Sequence, residues 1–226
     1  RQALVGLLNA FWESKGVANA EEFRQFSAPV VPLARFSKAV YKNNEQFTAD
    51  IEIANYSSEE INNKNIKWAL TNASGQPLQE GIIPLTNIKI GGGNIAGKIS
   101  CSLSEVKKAE RLALRVSIEN SSYKNTWNIW VYPATLTIEK EEIVVTDKLT
   151  ETQKALAAGK TVLFNPPYQL CAGLQGKFVP VFWSPVHFPK QAGTMGLLLD
   201  PTHKAFAHFP TEGHTNWQWW SLTTQS

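Results

Sequence analysis

Three histidines, His203, His208 and His214, fall within twelve positions, with Asp200 and Glu212 beside them. Imidazole and carboxylate are ligands that zinc accepts. The spacings match no zinc signature, and Pro201, Pro210 and Gly213 break any helix that would align the side chains. Structural or surface histidines are therefore expected, with no metal and no other cofactor. A thiol nucleophile needs a nearby base, and Cys171 in Leu170-Cys171-Ala172-Gly173 has none beside it in sequence. No Gly-x-Ser-x-Gly elbow occurs. Gly91-Gly92-Gly93 is not followed by Lys-Ser or Lys-Thr, so it reads as a turn and not as a phosphate cradle. No catalytic residue is expected within the chain.

Carboxylates and aromatics remain. Glycoside hydrolysis uses two carboxyl groups flanking the scissile bond. Glu13 follows Trp12 at the end of an apolar run, a place where a barrel strand exposes active-site residues. One carboxylate is not a pair, and Glu13 reads rather as the first solvated residue of a loop. Eight tryptophans are present. Trp217, Trp219 and Trp220, with Asn216 and Gln218 between and before them, make either a sugar-stacking platform or a packed closing element. Packing is the expectation, because exposed Trp clusters are costly unless used. Trp127, Ile129 and Val131 alternate with Trp130 and Tyr132. One face of that strand belongs in a core, and the other is expected to meet a neighbouring domain.

The 226 residues are 43% hydrophobic and 18% charged, which suits globular domains and excludes disorder. A net charge of +3 with scattered Lys and Arg argues against nucleic acid. The longest apolar run, Ala3 to Trp12, is too short to span a bilayer and lacks a signal-peptide cleavage pattern. Cys101 and Cys171 lie far apart, so no disulfide framework is expected. Cys101 is in phase with Ile99 and Leu103 and reads as core. The opening on Arg1 and an uncapped apolar segment predicts an element whose partners lie upstream.

The elements follow from periodicity. Leu4 to Phe11 suits a buried strand, with helix as its competitor. Asn19 caps a short helix with Glu21 and Glu22 in its first turn, and Phe23 and Phe26 share a face. Pro29 and Pro32 then force an extended chain. From residue 35 to 133 the period becomes two: Phe47, Ala49, Ile51, Ile53; then Ile95, Gly97, Ile99, Cys101, Leu103; then Leu112, Leu114, Val116, Ile118. Turn residues separate the runs at 72–75, 91–94 and 120–122. About seven strands over roughly 100 residues predict an immunoglobulin-like β-sandwich. Beyond Pro133, a strand from Leu136 to Val145 is expected, then a helix from Thr150 to Gly159. Short strands at Thr161 to Phe164 and Met195 to Asp200 complete a small α/β unit. The stretch from Pro166 to Gly193 reads as loop. Three segments result: 1–34, 35–134 and 135–226.

Several phrases resemble a known family: Leu4-Val5-Gly6-Leu7-Leu8-Asn9-Ala10-Phe11-Trp12-Glu13-Ser14-Lys15-Gly16, the stretch from Glu22 to Ala34, Trp127-Asn128-Ile129-Trp130-Val131-Tyr132-Pro133, and the ending from Phe206 to Trp220. They are similar to the C-terminal region of bacterial family-2 glycoside hydrolases of the β-galactosidase type. The resemblance implies that residues 1–34 are a remnant of a (β/α)8 barrel, whose two catalytic glutamates lie upstream. The chain is then mainly β, an immunoglobulin-like sandwich followed by a small α/β domain. Its function is that of a non-catalytic accessory region of an O-glycosyl hydrolase, exported to the periplasm or secreted, with the upstream barrel as partner. By the same resemblance Trp12 floors a sugar subsite. The alternative is a carbohydrate-binding module that takes glycan on Trp217, Trp219 and Trp220.

Overall fold

Alternation of apolar and polar residues predicts strands that bury one face, and the computed structural model, which describes residues 6–136, 143–171 and 196–223, is mainly β with several sheets. After a short helix α1 (Ala20–Phe26) come β1 (Val30–Arg35), β2 (Val40–Lys42), β3 (Gln46–Asn55), β4 (Ile61–Thr71), β5 (Pro77–Ile88), β6 (Gly91–Ser102), β7 (Glu110–Ile118) and β8 (Lys124–Tyr132). They build a three-stranded sheet in the order β1-β3-β6 and a five-stranded sheet in the order β2-β8-β7-β4-β5. Neighbours are antiparallel except β2, which runs parallel to β8. Because β1 and β2 belong to different sheets, the chain crosses between the layers at residues 36–39. Pro32 is tolerated within β1 because that strand is an edge.

The inner faces form one core. Phe47, Ala49, Ile51 and Ile53 from β3 pack with Leu112, Leu114, Val116 and Ile118 from β7, with Ile66, Leu70 and Ile129 between them. These side chains are essentially excluded from solvent. Each such burial stabilises by about 1.5–3 kcal/mol relative to exposure. The period-two reading is thus met on β3 and β7 residue by residue.

On β6 it is met only in part. Ile99, Cys101 and Leu103 are buried as expected, but Ile95 is 79% exposed. The register explains the difference: Ile51 faces Gly97, while the next residue, Glu52, faces Ile95. Ala96 is therefore an extra residue, a β-bulge, and one inserted residue exchanges the two faces upstream of it. Ala96 takes the inward side and packs on the core in place of Ile95. Gly97 permits the bulge at φ +157°, where a Cβ would stand 2.7 Å from Cγ2 of Ile83.

The apolar start does not form the expected strand. Residues 1–5 lie outside the described residues, and residues 8–14 make a tight turn closed by an isolated bridge between Leu8 and Ser14. Asn9 holds this turn together. Its Oδ1 accepts the N–H groups of Phe11 (2.8 Å) and Glu13 (3.0 Å), and its Nδ2 donates to the Glu13 carboxylate (2.7 Å). A local side chain thus captures backbone groups that a strand would have needed. No barrel remnant is visible among the described residues. Helix α1 matches its sequence signature. Asn19 Oδ1 accepts the Glu22 N–H at 2.9 Å, and the Glu22 carboxylate accepts the Asn19 N–H at 2.8 Å, a complete capping box. Phe23 and Phe26 meet edge to face at 5.1 Å.

The chain divides into two compact units, one of residues 1–134 with 200–213, the other of 135–199 with 214–226. In the second, β9 (Ile143–Thr146) and β10 (Thr161–Phe164) pair in parallel across helix α2 (Leu149–Ala157). Thr150 does not cap α2, which begins one residue earlier with no side-chain cap at Lys148. Instead the Thr146 hydroxyl accepts the Lys148 N–H and donates to the Glu151 carboxylate. The far end behaves as expected. Gly159 sits at φ +72°, its N–H bonds to Leu156 O, and the Lys160 N–H bonds to Ala155 O, the paired closure that favours glycine. Residues 137–142 of the expected strand before β9, and nearly all of the expected loop, lie outside the described residues. The expected strand at 195–200 is reduced to a single bridge between Leu198 and His214, with Met195 outside the described residues.

Two glycine substitutions test the packing. Gly97→Ala forces a Cβ against Ile83 at a positive φ, and Gly81→Ala places one 2.8–2.9 Å from the Trp68 indole. Each is expected to cost about 1–3 kcal/mol in urea unfolding. An unchanged midpoint for both would show that the inner layers can yield.

Candidate functional site

The Asn9 turn fixes where Trp12 goes. At φ +66° its backbone is in the left-handed region, unfavourable for a bulky residue. The indole is 84% exposed, and Phe11 beside it is exposed too. Phe26 on α1 is also exposed, and no residue of that helix is buried. Leu7, Leu8, Phe11, Trp12, Val17, Phe23 and Phe26 thus give residues 6–27 a markedly apolar exposed surface. Glu13 is exposed and held by Asn9, consistent with the loop reading of that carboxylate.

The C-terminal tryptophans divide. Asn216 Oδ1 accepts the Gln218 N–H at 3.2 Å and caps a 3-10 turn, Trp217–Trp219, that continues into α3 (Trp220–Thr223). Trp219 points inward at 9% exposure, and the Thr223 hydroxyl donates to its carbonyl. Trp217 and Trp220, three apart, emerge on one side at 65% and 46% exposure, with ring centres 6.3 Å apart and planes at 40°. One ring is packed and two are exposed. Trp219 is the packed one, so it is withdrawn as a sugar-contacting candidate; Trp217 and Trp220 remain.

The histidine region is used structurally. His203 Nδ1 accepts the Ala205 N–H at 3.2 Å, and the Asp200 carboxylate accepts from the Thr202 hydroxyl and N–H. Those bonds hold the Asp200 carboxyl below the usual range. Glu212 pairs with Arg111 at 2.6 Å. No group of three or more His, Cys, Asp or Glu positioned for a metal occurs among the described residues. Glu212 instead ties residues 200–213 to the outer face of the five-stranded sheet. Arg111 stands opposite Trp130 in the register, and the Tyr132 ring lies 6.2 Å from Phe209. Burial pushes the Tyr132 phenol up to about 12. The expected neighbouring domain on this aromatic face is thus a returning segment of the same compact unit. The spacing of Phe206 and Phe209 does not by itself say what the rings meet.

The two thiols differ in the way their surroundings dictate. Cys101 is buried in the core, and desolvation pushes it up to about 11. Cys171 is exposed, with Sγ 3.8 Å from Pro167 O.

Comparison with known proteins gives two domain families, both of unknown function: DUF8488 matches residues 45–133 and DUF8487 matches residues 144–226. No curated protein matches the chain. Among solved structures, the CARDB domain of a Pyrococcus furiosus protein is 6% identical with a TM-score of 0.35, over 46% of this chain and 93% of that one. The sporulation control protein Spo0M of Bacillus subtilis is 8% identical with a TM-score of 0.34, over 47% of this chain and 50% of that one. A β-glucuronidase of Parabacteroides merdae is 11% identical with a TM-score of 0.30, over 45% of this chain and 13% of that enzyme. The chain therefore spans about half of the Spo0M chain and a small part of the glucuronidase. Likeness at this level carries no functional argument.

A thiol reagent at pH 8 is expected to modify Cys171 in the native chain and Cys101 only after unfolding. The Cys101 thiol keeps its proton in the fold above the pH at which an unfolded thiol loses it. Stability is therefore expected to fall as pH rises from about 8.5 toward the folded value of about 11. Urea midpoints for the native chain and Cys101→Ser check this; an identical pH trend in both would remove the thiol as its cause.

Proposed function

We propose that this chain is a non-catalytic accessory region of a glycoside hydrolase, an immunoglobulin-like sandwich followed by a small α/β unit that buttresses a catalytic (β/α)8 barrel. The carrying observation is the exposed aromatic surface of residues 6–27, with Trp12 and Phe11 held outward and α1 unburied. Apolar surface of that kind marks a contact site. The family-like phrases in the same segment name the barrel as the body it meets. The strand order supports the sandwich type: β1 and β2 in opposite layers, with β2 parallel to the final strand β8. Export of the parent enzyme is part of the proposal and follows from the resemblance.

Aryl glycosides are expected to stay intact in the presence of the purified chain. Turnover abolished by Glu13→Gln would overturn the reading. Added to the separately expressed barrel of the parent enzyme, the chain is expected to bind, and the double variant Trp12→Ala/Phe26→Ala to bind at least tenfold more weakly. Equal binding by the variant would also count against it.

A second reading, direct glycan capture, is favoured by the exposed Trp217–Trp220 pair. Neutral oligosaccharides are then expected to quench tryptophan fluorescence, with the quenching lost in Trp217→Ala. Trp219→Ala is expected to act on stability instead, by about 3–5 kcal/mol for a packed Trp. A flat titration removes this reading.

A further inference from the structure

A groove crosses the outer face of the five-stranded sheet, within the unit that holds the sandwich. It consists of three adjoining depressions of about 600, 460 and 530 Å3, in the range of ligand sites. Glu21, Gln25, Ser117 and Lys124 are common to the first two, and Arg115 and Ser117 to the last two. Register shows how the sheet makes this shape. One row across β8, β7, β4 and β5 reads Thr126, Arg115, Ala69, Glu80, and the next reads Lys124, Ser117, Lys67, Ile82. Small residues at Ala69 and Ser117 leave a low floor between longer side chains. Helix α1 forms the wall at one end, fastened by the ion pair of Glu21 with Lys124.

Charge inside the groove is unevenly spent. Lys124 is committed to Glu21, and Lys67 to Glu119 at 2.9 Å. Arg115 at the centre and Arg24 on the α1 wall have no ion-pair partner among the described residues, and both are exposed. A guanidinium presents a planar fork that matches a carboxylate in two bonds. The remaining lining is rich in short hydroxyls, Ser117, Ser121, Ser122 and Thr126, which suit hydrogen bonds to hydroxyl-bearing ligands. A peptide that binds by adding a strand needs an open sheet edge, and one that binds by acidic side chains alone would use the arginines without the hydroxyls. The floor under Arg115 is β8, β7 and β4, all interior to the sheet, and the edge strand β5 is reached only at the far end of the groove.

We infer that this groove binds an acidic oligosaccharide, with uronate carboxylates on Arg115 and Arg24 and sugar hydroxyls on the serine and threonine side chains. The inference uses neither the tryptophan pair nor the accessory-region reading. It deals with a different surface, and either can fail alone.

Titration of the intact 15N-labelled chain with a galacturonic acid hexamer tests it by NMR. Amide shifts are expected at Arg115, Ser117 and Thr126, weakening as salt rises. The neutral galactose hexamer should leave these amides unmoved. Arg115→Ala and, independently, Arg24→Ala are expected to weaken binding at least tenfold with an unchanged melting temperature, and Arg115→Lys to retain part of it. Absence of shifts at these amides, equal shifts from the neutral hexamer or from a hexaglutamate peptide, or unaltered binding by both alanine variants would each overturn the inference.

Discussion

Burial of the two inner sheet faces against each other is the constraint on which the rest of the sandwich depends. A strand has only two sides, so a residue that faces inward fixes the side of every other residue until the register changes. Phe47, Ile51 and Ile53 on β3, with Leu112, Leu114 and Val116 on β7, set that side for both layers. The outward residues, Arg115 and Ser117 among them, are placed as a consequence. The outer groove is thus the reverse side of the core, and its floor is no more mobile than the layer that carries it.

Local hydrogen bonds override periodicity where they are strong enough. Asn9 offers both an acceptor and a donor within four residues, and the apolar run around it becomes a turn. Thr146 does similar work before α2, satisfying the helix start from outside the position that sequence favoured. In both places one short polar side chain serves backbone groups that would otherwise need a strand or cap partner. The same economy explains the histidine region, where Asp200 and His203 are occupied with neighbouring N–H groups and Glu212 with Arg111.

The aromatic residues fall into two kinds by environment. Trp130 is buried, and Tyr132 lies half-buried beside Phe209 of the returning segment 200–213. Trp12, Trp217 and Trp220 are exposed. Composition counts these residues alike. Only their surroundings separate buried filler from exposed rings, and that separation underlies the functional proposals.

From the sequence alone came the strands β3 and β7, helix α1 with its Asn19 cap, the glycine end of α2 and the core place of Cys101. Each of these depends on interactions within a few residues or on a strict period of two. The tertiary structure alone decided the bulge at Ala96, which depends on the partner strand and turned Ile95 outward. It also decided the split among Trp217, Trp219 and Trp220, the burial of Trp130, and the adjoining of the depressions lined by Arg24 and by Arg115. Those arrangements join residues tens of positions apart, and no local propensity encodes a distance across folded layers.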